Sequence, residues 1–308
     1  MTDLIVIANG KYQSGPAAVR WGRAEVRLRE TFGDRVEISY TSHPGDGRRL
    51  SREALLHGAA WLAAAGGDGT IHEVVNGFFD ECRNISPEAR LSFVPCGNGN
   101  DWIRTLGLPS GGPDAVDSLA RGHTRQVDVG YAEFRNLLGK SEGRIFINIA
   151  EAGLGAKVLE NLNQRSGLVR TPRSYVAAAL AASFAYSPRT LKLALEGGTF
   201  FASEPLLSLI VANGRYFGAG MKCAPMARPD DGCLEVIAVG NFARMEILLY
   251  LPSFIRGTYL GKTKVKHYSV SSVDLASEER ILFELDGELA GALPANIRIL
   301  PQALRLHC

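Results

Sequence analysis

Apolar residues in the first third of the chain fall in short blocks separated by helix-length amphipathic or alanine-rich stretches. The blocks Leu4 to Ala8, Val36 to Thr41, Ala59 to Ala65 and Leu91 to Cys96 each read as a buried strand. Strands alternating with helices predict βαβ units around a parallel sheet. In such a sheet the loops after the strands gather at one edge, where open α/β folds bind ligands. After about Val127 the pattern changes to β-branched or alternating runs: Arg144 to Ile149, Leu191 to Leu195, Leu206 to Ala212, Leu234 to Val239, Val265 to Leu275 and Ile281 to Leu285. They predict a second domain rich in antiparallel strands, interrupted by helices over Arg173 to Tyr186 and Phe242 to Tyr259. Pro252 is expected to kink or divide the second of these. The composition shift at residues 124 to 131 divides the chain into 1–128 and 129–308, the last few residues packing back on the first domain.

Composition narrows the class. With 308 residues, 46% hydrophobic and 21% charged, the chain matches a folded globular protein and can bury a sizeable core. Lys and Arg total 34 against 32 Asp and Glu, a net charge of +2. That balance argues against a broad nucleic-acid-binding face and makes any anion site local. Five cysteines without a C-x-x-C pair indicate neither a disulfide framework nor a zinc ribbon, which fits a reducing cytoplasm. An acid at Asp3 and a short apolar run are unlike a signal peptide. The stretch Val176 to Tyr186 falls well short of the ~20 residues that span a bilayer, leaving peripheral membrane contact open.

The strongest local signal is Ala65-Gly66-Gly67-Asp68-Gly69-Thr70, which ends one strand and opens a helical segment. Its glycines permit a sharp turn and close backbone approach, and the positive end of a helix favours phosphate. Thr70 and Glu73 have capping-box spacing, predicting Thr70 as N-cap. Asp68 is electrostatically odd among such amides unless it meets a cation, a ribose hydroxyl or another donor. The alternative is a glycine-rich turn with a solvated Asp. The next strand ends in Pro95-Cys96-Gly97-Asn98-Gly99-Asn100-Asp101, where Asn100 or Asp101 can cap the following helix. Two such loops on successive strands make a cradle for a nucleotide. No Walker string and no G-x-G-x-x-G with a ribose-binding acid is present, which disfavours Walker-type ATPases and ordinary NAD dehydrogenases.

In the β-rich half, Pro229-Asp230-Asp231-Gly232 and Leu285-Asp286-Gly287-Glu288 read first as hairpin turns. Beside a phosphate cradle they admit a second reading, in which Asp231 helps hold Mg²⁺ and Asp286 takes a proton from an attacking hydroxyl. His43, His72 and His123 have no metal-binding spacing and read as surface or helix residues. The stripe Tyr175, Ala179, Ala182 and Tyr186 reads as core packing, with a slot for acyl chains as the alternative. Arg165, Arg170 and Arg173, just upstream, could meet an anionic membrane surface.

Four segments together resemble the soluble bacterial diacylglycerol-kinase family, relatives of sphingosine and ceramide kinases. They are GGDGTIHEVVNGF (66–78), VPCGNGNDWIRTLGLP (94–109), APMARPDDGCLEV (224–236) and LDGE (285–288), in family order over nearly the whole chain. The GGDGT string alone is shared with NAD kinases. The resemblance implies a Rossmann-like three-layer α/β domain, similar to phosphofructokinase and NAD kinase, followed by a β-sandwich with the active site in the interdomain cleft. It implies transfer of the ATP γ-phosphate to a hydroxyl of diacylglycerol or a related lipid, at the inner membrane face of the cytoplasm. Asp286 would be the catalytic base. Gly66, Gly67, Asp68, Gly69, Thr70 and Glu73 would serve nucleotide binding, with Asn98, Asn100 and Asp101 of the second loop and Asn9 and Thr41 at neighbouring strand ends. A structural Mg²⁺ would take the Asp231 carboxylate and the backbone carbonyls of Arg228 and Cys233, oxygen ligands that suit a hard cation. ATP and Mg²⁺ are the implied cofactors, a lipid the partner, and a homodimer is compatible.

The chain departs from the family pattern in two places. The usual Asn-Pro-x-Ser-Gly loop is Asn9-Gly10-Lys11-Tyr12-Gln13-Ser14-Gly15, longer and without proline, and Asn98 stands where Thr is usual. These departures keep open a non-catalytic nucleotide-binding regulator, and the shared GGDGT loop keeps open an NAD kinase-like enzyme, although the Pro-Asp-Asp-Gly and Leu-Asp-Gly-Glu context fits lipid kinases better.

Overall fold

The computed structural model describes residues 3–11, 15–164 and 172–308. The first half runs β1 (Leu4–Ala8), α1 (Gly15–Phe32), β2 (Val36–Tyr40), α2 (Asp46–Leu56), β3 (Trp61–Gly66), α3 (Asp68–Gly77), the two-residue strands β4 (Phe79–Asp80) and β5 (Arg83–Asn84), β6 (Arg90–Pro95), α4 (Asp101–Leu106) and α5 (Gly112–Arg121). Strands β2, β1, β3 and β6 pair in that order, all parallel. Period-two alternation sorts their side chains into two cores. Ile7, Leu62, Ala64, Leu91 and Phe93 pack with residues of α2, α3 and α4. Leu4, Val6, Ala63, Ala65 and Val94 pack with Trp21 and Leu28 of α1 and Val116 and Leu119 of α5. Strands apolar on both faces are what a sheet covered by helices on both sides needs. The result is a three-layer α/β arrangement.

The second half runs β7 (Thr124–Asn136), β8 (Ser141–Phe146), β9 (Ile149–Gly153), α6 (Leu154–Gln164), α7 (Pro172–Ala185), β10 (Lys192–Leu195), β11 (Phe201–Ala202), β12 (Leu206–Ala212), β13 (Leu234–Gly240), α8 (Arg244–Arg256), β14 (Val265–Val270), β15 (Ser272–Ala276), β16 (Leu282–Leu285) and β17 (Glu288–His307). Antiparallel ladders join β14, β13, β12, β9, β16 and β17, while β7 and β15 also flank β17. Leu209 and Val211 of β12 face the sandwich core with Val236 and Phe283. Ile210 and Ala212 face the other way, toward a layer that includes Phe254 of α8 and Tyr259.

Strand β17 ties the halves together. It pairs antiparallel with β7 along most of its length, and near its end Arg305 and Leu306 pair parallel with Arg90 and Leu91 of β6. The compositional shift at 124–131 lies inside β7. Helix α8 continues through Pro252, which does not divide it as the sequence suggests. Its Glu246 side chain accepts the Ala243 N–H at 2.7 Å and secures the first turn. Among the described residues, no helix is long and apolar enough to cross a membrane.

Candidate active site

The C-terminal ends of the parallel strands bring the N-terminal candidates together. Asn9 follows β1 and donates from its amide nitrogen to the Thr70 hydroxyl at 3.0 Å. Its carbonyl accepts the Lys11 N–H at 3.0 Å, while the Gly10 N–H donates to the Thr41 hydroxyl after β2 at 3.2 Å. The glycines here allow backbone to meet backbone. A Cβ on Gly10 would lie 2.1 Å from the Thr41 carbonyl oxygen, and one on Gly97 would lie 2.5 Å from the Gly67 Cα. The two glycine loops are therefore packed on each other.

The capping box is not formed. Helix α3 begins at Asp68 with Gly67 as N-cap, so Thr70 is already inside the first turn. The glycines let the strand enter the helix directly, before a side-chain cap is reached. Glu73 instead accepts the N–H groups of Gly45 and Gly47, both at 2.8 Å, at the start of α2. Asp68 has the donor its position demands: the Trp102 N–H reaches its Oδ1 at 3.3 Å from the N-terminus of α4. Burial nevertheless pushes the Asp68 carboxyl upward against those amides.

Asn100 occupies the N-cap position of α4 in a left-handed conformation, but its side chain makes no cap. Its amide donates to the carbonyls of Gly97 and Ser110, at 3.2 and 3.3 Å. Asp101 accepts the Ala219 N–H of the second domain at 2.8 Å, while its buried Oδ1 has no hydrogen-bond partner. Burial, and then the charge of Asp68, push Asp101 up to about 7. Asn98 is exposed and accepts from Arg20 at 3.0 Å; the same guanidinium holds the carbonyls of Cys96 and Gly97, at 2.8 and 3.1 Å. Arg20 is a loop-positioning residue that sequence reading missed, since one arginine on a basic amphipathic helix carries no mark of its partners.

Asp286 sits opposite these loops. It and Gly287 form the two-residue turn between β16 and β17, with φ of 50° and 84° and Leu285 paired to Glu288. Two left-handed residues fit the type I′ hairpin that Asp-Gly favours. The hairpin reading and a functional one therefore describe the same residue. Its Oδ1 accepts the N–H groups of Asn148 and Ile149 at 2.9 and 3.0 Å; its Oδ2 accepts that of Ile147 at 2.9 Å and meets His72 Nδ1 at 2.9 Å. Behind the turn, buried Glu284 accepts the Gly287 N–H at 2.7 Å.

His72 is a helix residue on α3, as the sequence suggests, but local sequence gives no sign of its contact with Asp286. It is buried and joined to the second domain through that contact. Burial alone would lower its pKa; the bond to Asp286 and the charges of Asp286 and Glu288 outweigh this, so the net direction is upward. One turn further, Asn76 donates to the Ile145 carbonyl at 2.9 Å and accepts the Ile145 N–H at 3.0 Å, docking α3 on β8. A Cβ on Gly69 would lie 3.5 Å from Glu288 Oε1, so the Leu-Asp-Gly-Glu turn meets the first glycine loop directly.

The other acidic turn is different. Asp231 is exposed, and its Oδ1 accepts the Cys233 N–H two residues on, at 3.1 Å. Arg228 is exposed and its guanidinium lies 3.4 Å from Asp230. Burial raises the Asp231 carboxyl, followed by the carboxylates of Glu235 and Asp128. Asp128, also missed in the sequence, is buried and accepts the N–H groups of Gly232 and Gln302, each at 2.7 Å. Among the described residues no group of three or more His, Cys, Asp or Glu forms a metal shell, so a cation here would depend on backbone oxygens.

An apolar cavity of about 140 Å³ lies in the second domain, lined among others by Val158, Leu180, Phe217, Ile247, Leu251 and Phe254. Of the helical stripe, Ala182 packs with Val158 and Leu162, and Tyr186 packs against the layer beneath α8. Arg165 and Arg170 lie outside the described residues, as do the side chains of Arg173, Tyr175 and Ala179.

Two family models match in tandem: the diacylglycerol kinase catalytic domain over residues 3–132, and the YegS C-terminal NAD kinase beta sandwich-like domain over 148–308. The chain belongs to the lipid kinase family defined by this domain pair. The resemblance carried by the four sequence motifs is borne out. A "Probable lipid kinase YegS-like" protein of Chromohalobacter salexigens is 31% identical over 304 residues, covering 99% of this chain and 92% of the relative. A "Diacylglycerol kinase" of Staphylococcus carnosus is 30% identical, covering 90% and 86%. A crystal structure of a diacylglycerol kinase from Bacillus anthracis superposes with a TM-score of 0.70 at 21% identity, over 99% of this chain and 96% of that one, which supports the fold.

Proposed function

We propose that this family member is an ATP- and Mg²⁺-dependent kinase that transfers the γ-phosphoryl group to a hydroxyl of diacylglycerol or a similar lipid. The observation that carries the proposal is the meeting of Asp286, from the second domain, with His72, on the helix that the first glycine loop opens. A triphosphate on the amides of residues 66–70 and 97–100 would present its terminal phosphate near that carboxylate. Asp286 would accept the acceptor hydroxyl's proton as transfer proceeds, exchanging one of its present hydrogen bonds. His72, its own pKa raised, donates to Asp286 and fixes its orientation. Asn9, Thr41, Thr70 and Glu73 hold the strand-end loops in register, and Arg20 holds the second loop.

The residues fit a divalent cation at two places. The Asp68 and Asp101 carboxylates repel one another, and the buried Asp101 Oδ1 accepts no hydrogen bond and has only the Arg104 guanidinium 4.0 Å away, a situation a cation relieves. The Asp231 turn, facing Asp128 and Glu235, fits a structural cation with the carbonyls of Arg228 and Cys233. Bound Mg²⁺ would supply neutralisation of developing phosphate charge. The apolar cavity beside α8 provides room for part of an acyl chain.

Incubation of the purified protein with labelled ATP, Mg²⁺ and a total lipid extract, with NAD as a separate acceptor, tests the proposal. Label in a phosphate monoester of diacylglycerol or a related lipid is expected. Label in NAD alone would make this an NAD kinase-like enzyme. ATP binding with no transfer to any acceptor would make it a regulator.

A further inference from the structure

Helix α8 is apolar on both sides. Ile247, Leu251 and Phe254 line the cavity. Met245, Leu248, Leu249 and Ile255 face away from it; Met245 and Leu249 are 74% and 71% exposed. A helix covering a water-soluble domain ordinarily has a polar outer face, and one that is apolar all round belongs against a second apolar phase.

Charge identifies that phase. Arg244 and Arg256 stand exposed at the two ends of the helix, and Lys262 and Lys264 follow in the next loop. The only acid on the helix, Glu246, is committed to the Ala243 N–H at 2.7 Å and to Lys264 at 2.6 Å. With Lys264 paired to Glu246, the three cations Arg244, Arg256 and Lys262 face no further acid on the helix, which suits an anionic lipid surface better than the mixed rim of a protein partner.

We infer that α8 docks the protein on an anionic bilayer. It lies in the interfacial plane with Met245, Leu248, Leu249 and Ile255 at the acyl boundary, and its inner face forms one wall of the cavity. A lipid acceptor then passes from bilayer to cavity beside this helix. The identity of what passes rests on the lipid-kinase reading; the docking does not, because it is measured without turnover.

Flotation with phosphatidylcholine vesicles, with and without phosphatidylglycerol, tests the docking on the full chain and on Leu249→Asp and Met245→Glu, two exposed positions whose melting temperatures are checked in parallel. The unmodified chain should bind the anionic vesicles, and each variant should bind about ten-fold less with its melting temperature unchanged. Arg244→Glu should weaken binding to anionic vesicles only. Phosphorylation of vesicle-embedded diacylglycerol should fall with binding in Leu249→Asp, while that of a dispersed short-chain diacylglycerol stays within about two-fold. Absent vesicle binding by the unmodified chain, or unchanged binding in both apolar variants, overturns the inference. So does a Leu249→Asp change from dimer to monomer in sedimentation velocity without loss of vesicle binding, which would make the face a contact between two copies. Vesicle binding that follows the variants while no lipid is phosphorylated would uphold the docking and refute the lipid-kinase reading.

Discussion

Two Asp-Gly turns in the same domain look alike in sequence and differ in everything that bears on chemistry. At 285–288 the aspartate is buried and held by three backbone amides and a histidine from the other domain. At 229–232 it is exposed and held by an amide two residues away. The dipeptide specifies the turn, and what packs against that turn from the other domain decides whether its carboxylate can serve a reaction. Asp286 also shows how such a position is maintained. A left-handed aspartate costs on the order of 1 kcal/mol, and four hydrogen bonds to its side chain offset that cost.

Substitution sharpens this contrast. Asp286→Asn should lower turnover by about 10³-fold, whereas Asp231→Asn should leave it within about 3-fold at saturating Mg²⁺, both read in one steady-state phosphorylation assay. Equal losses would erase the distinction between the turns. His72→Gln comes next: losing a charge-assisted bond of about 2 kcal/mol corresponds to about 30-fold in kcat, with the KM for ATP little changed. Asp231→Asn should matter elsewhere. Mg²⁺ should raise the melting temperature of the unmodified chain by a few degrees, about 2–4 °C, and that shift should vanish in the variant. The smallest effect is on pH dependence. Because His72 binds its proton more tightly folded than unfolded, its contribution to stability is complete below about pH 6.5 and is lost as pH rises through its higher folded pKa. Denaturant midpoints followed upward from pH 6 should show this decline in the unmodified chain and not in His72→Gln.

Much of the fold was legible because its signals are local. Leu4–Ala8 and Leu206–Ala212 are strands over the very residues their apolar runs mark. Strand β17 was not legible, since Pro294 and Pro301 break its pattern. Both prolines fall where its pairing with β7 changes register, between Ala292 and Ala295 and between Leu300 and Leu304. Proline is tolerated in a long strand at such irregularities, so two apparent breaks were bulges. Strand β7 carries polar residues at several exposed positions and passed for a boundary.

The site divides the same way. Glycine loops and acidic turns announce themselves, because close backbone approach and turn geometry restrict residue type within a few positions. His72 and Asp128 are defined by partners 214 and 104 residues away, which no local pattern encodes. One faint signal was available. His72 and Asn76 are one turn apart on the helix opened by the first glycine loop, so they share a face. Two buried polar residues on one face imply polar partners opposite, and Asp286 and Ile145 are those partners.

The central claim is spatial: a triphosphate seated on the N-terminal glycine loops must reach the carboxylate of Asp286. A crystal structure with Mg²⁺ and a non-hydrolysable ATP analogue measures this directly. The account predicts the terminal phosphorus within about 6 Å of that carboxylate, close enough for an acceptor hydroxyl to bridge them. A terminal phosphate more than about 10 Å away, or an analogue bound off residues 66–70, would contradict it.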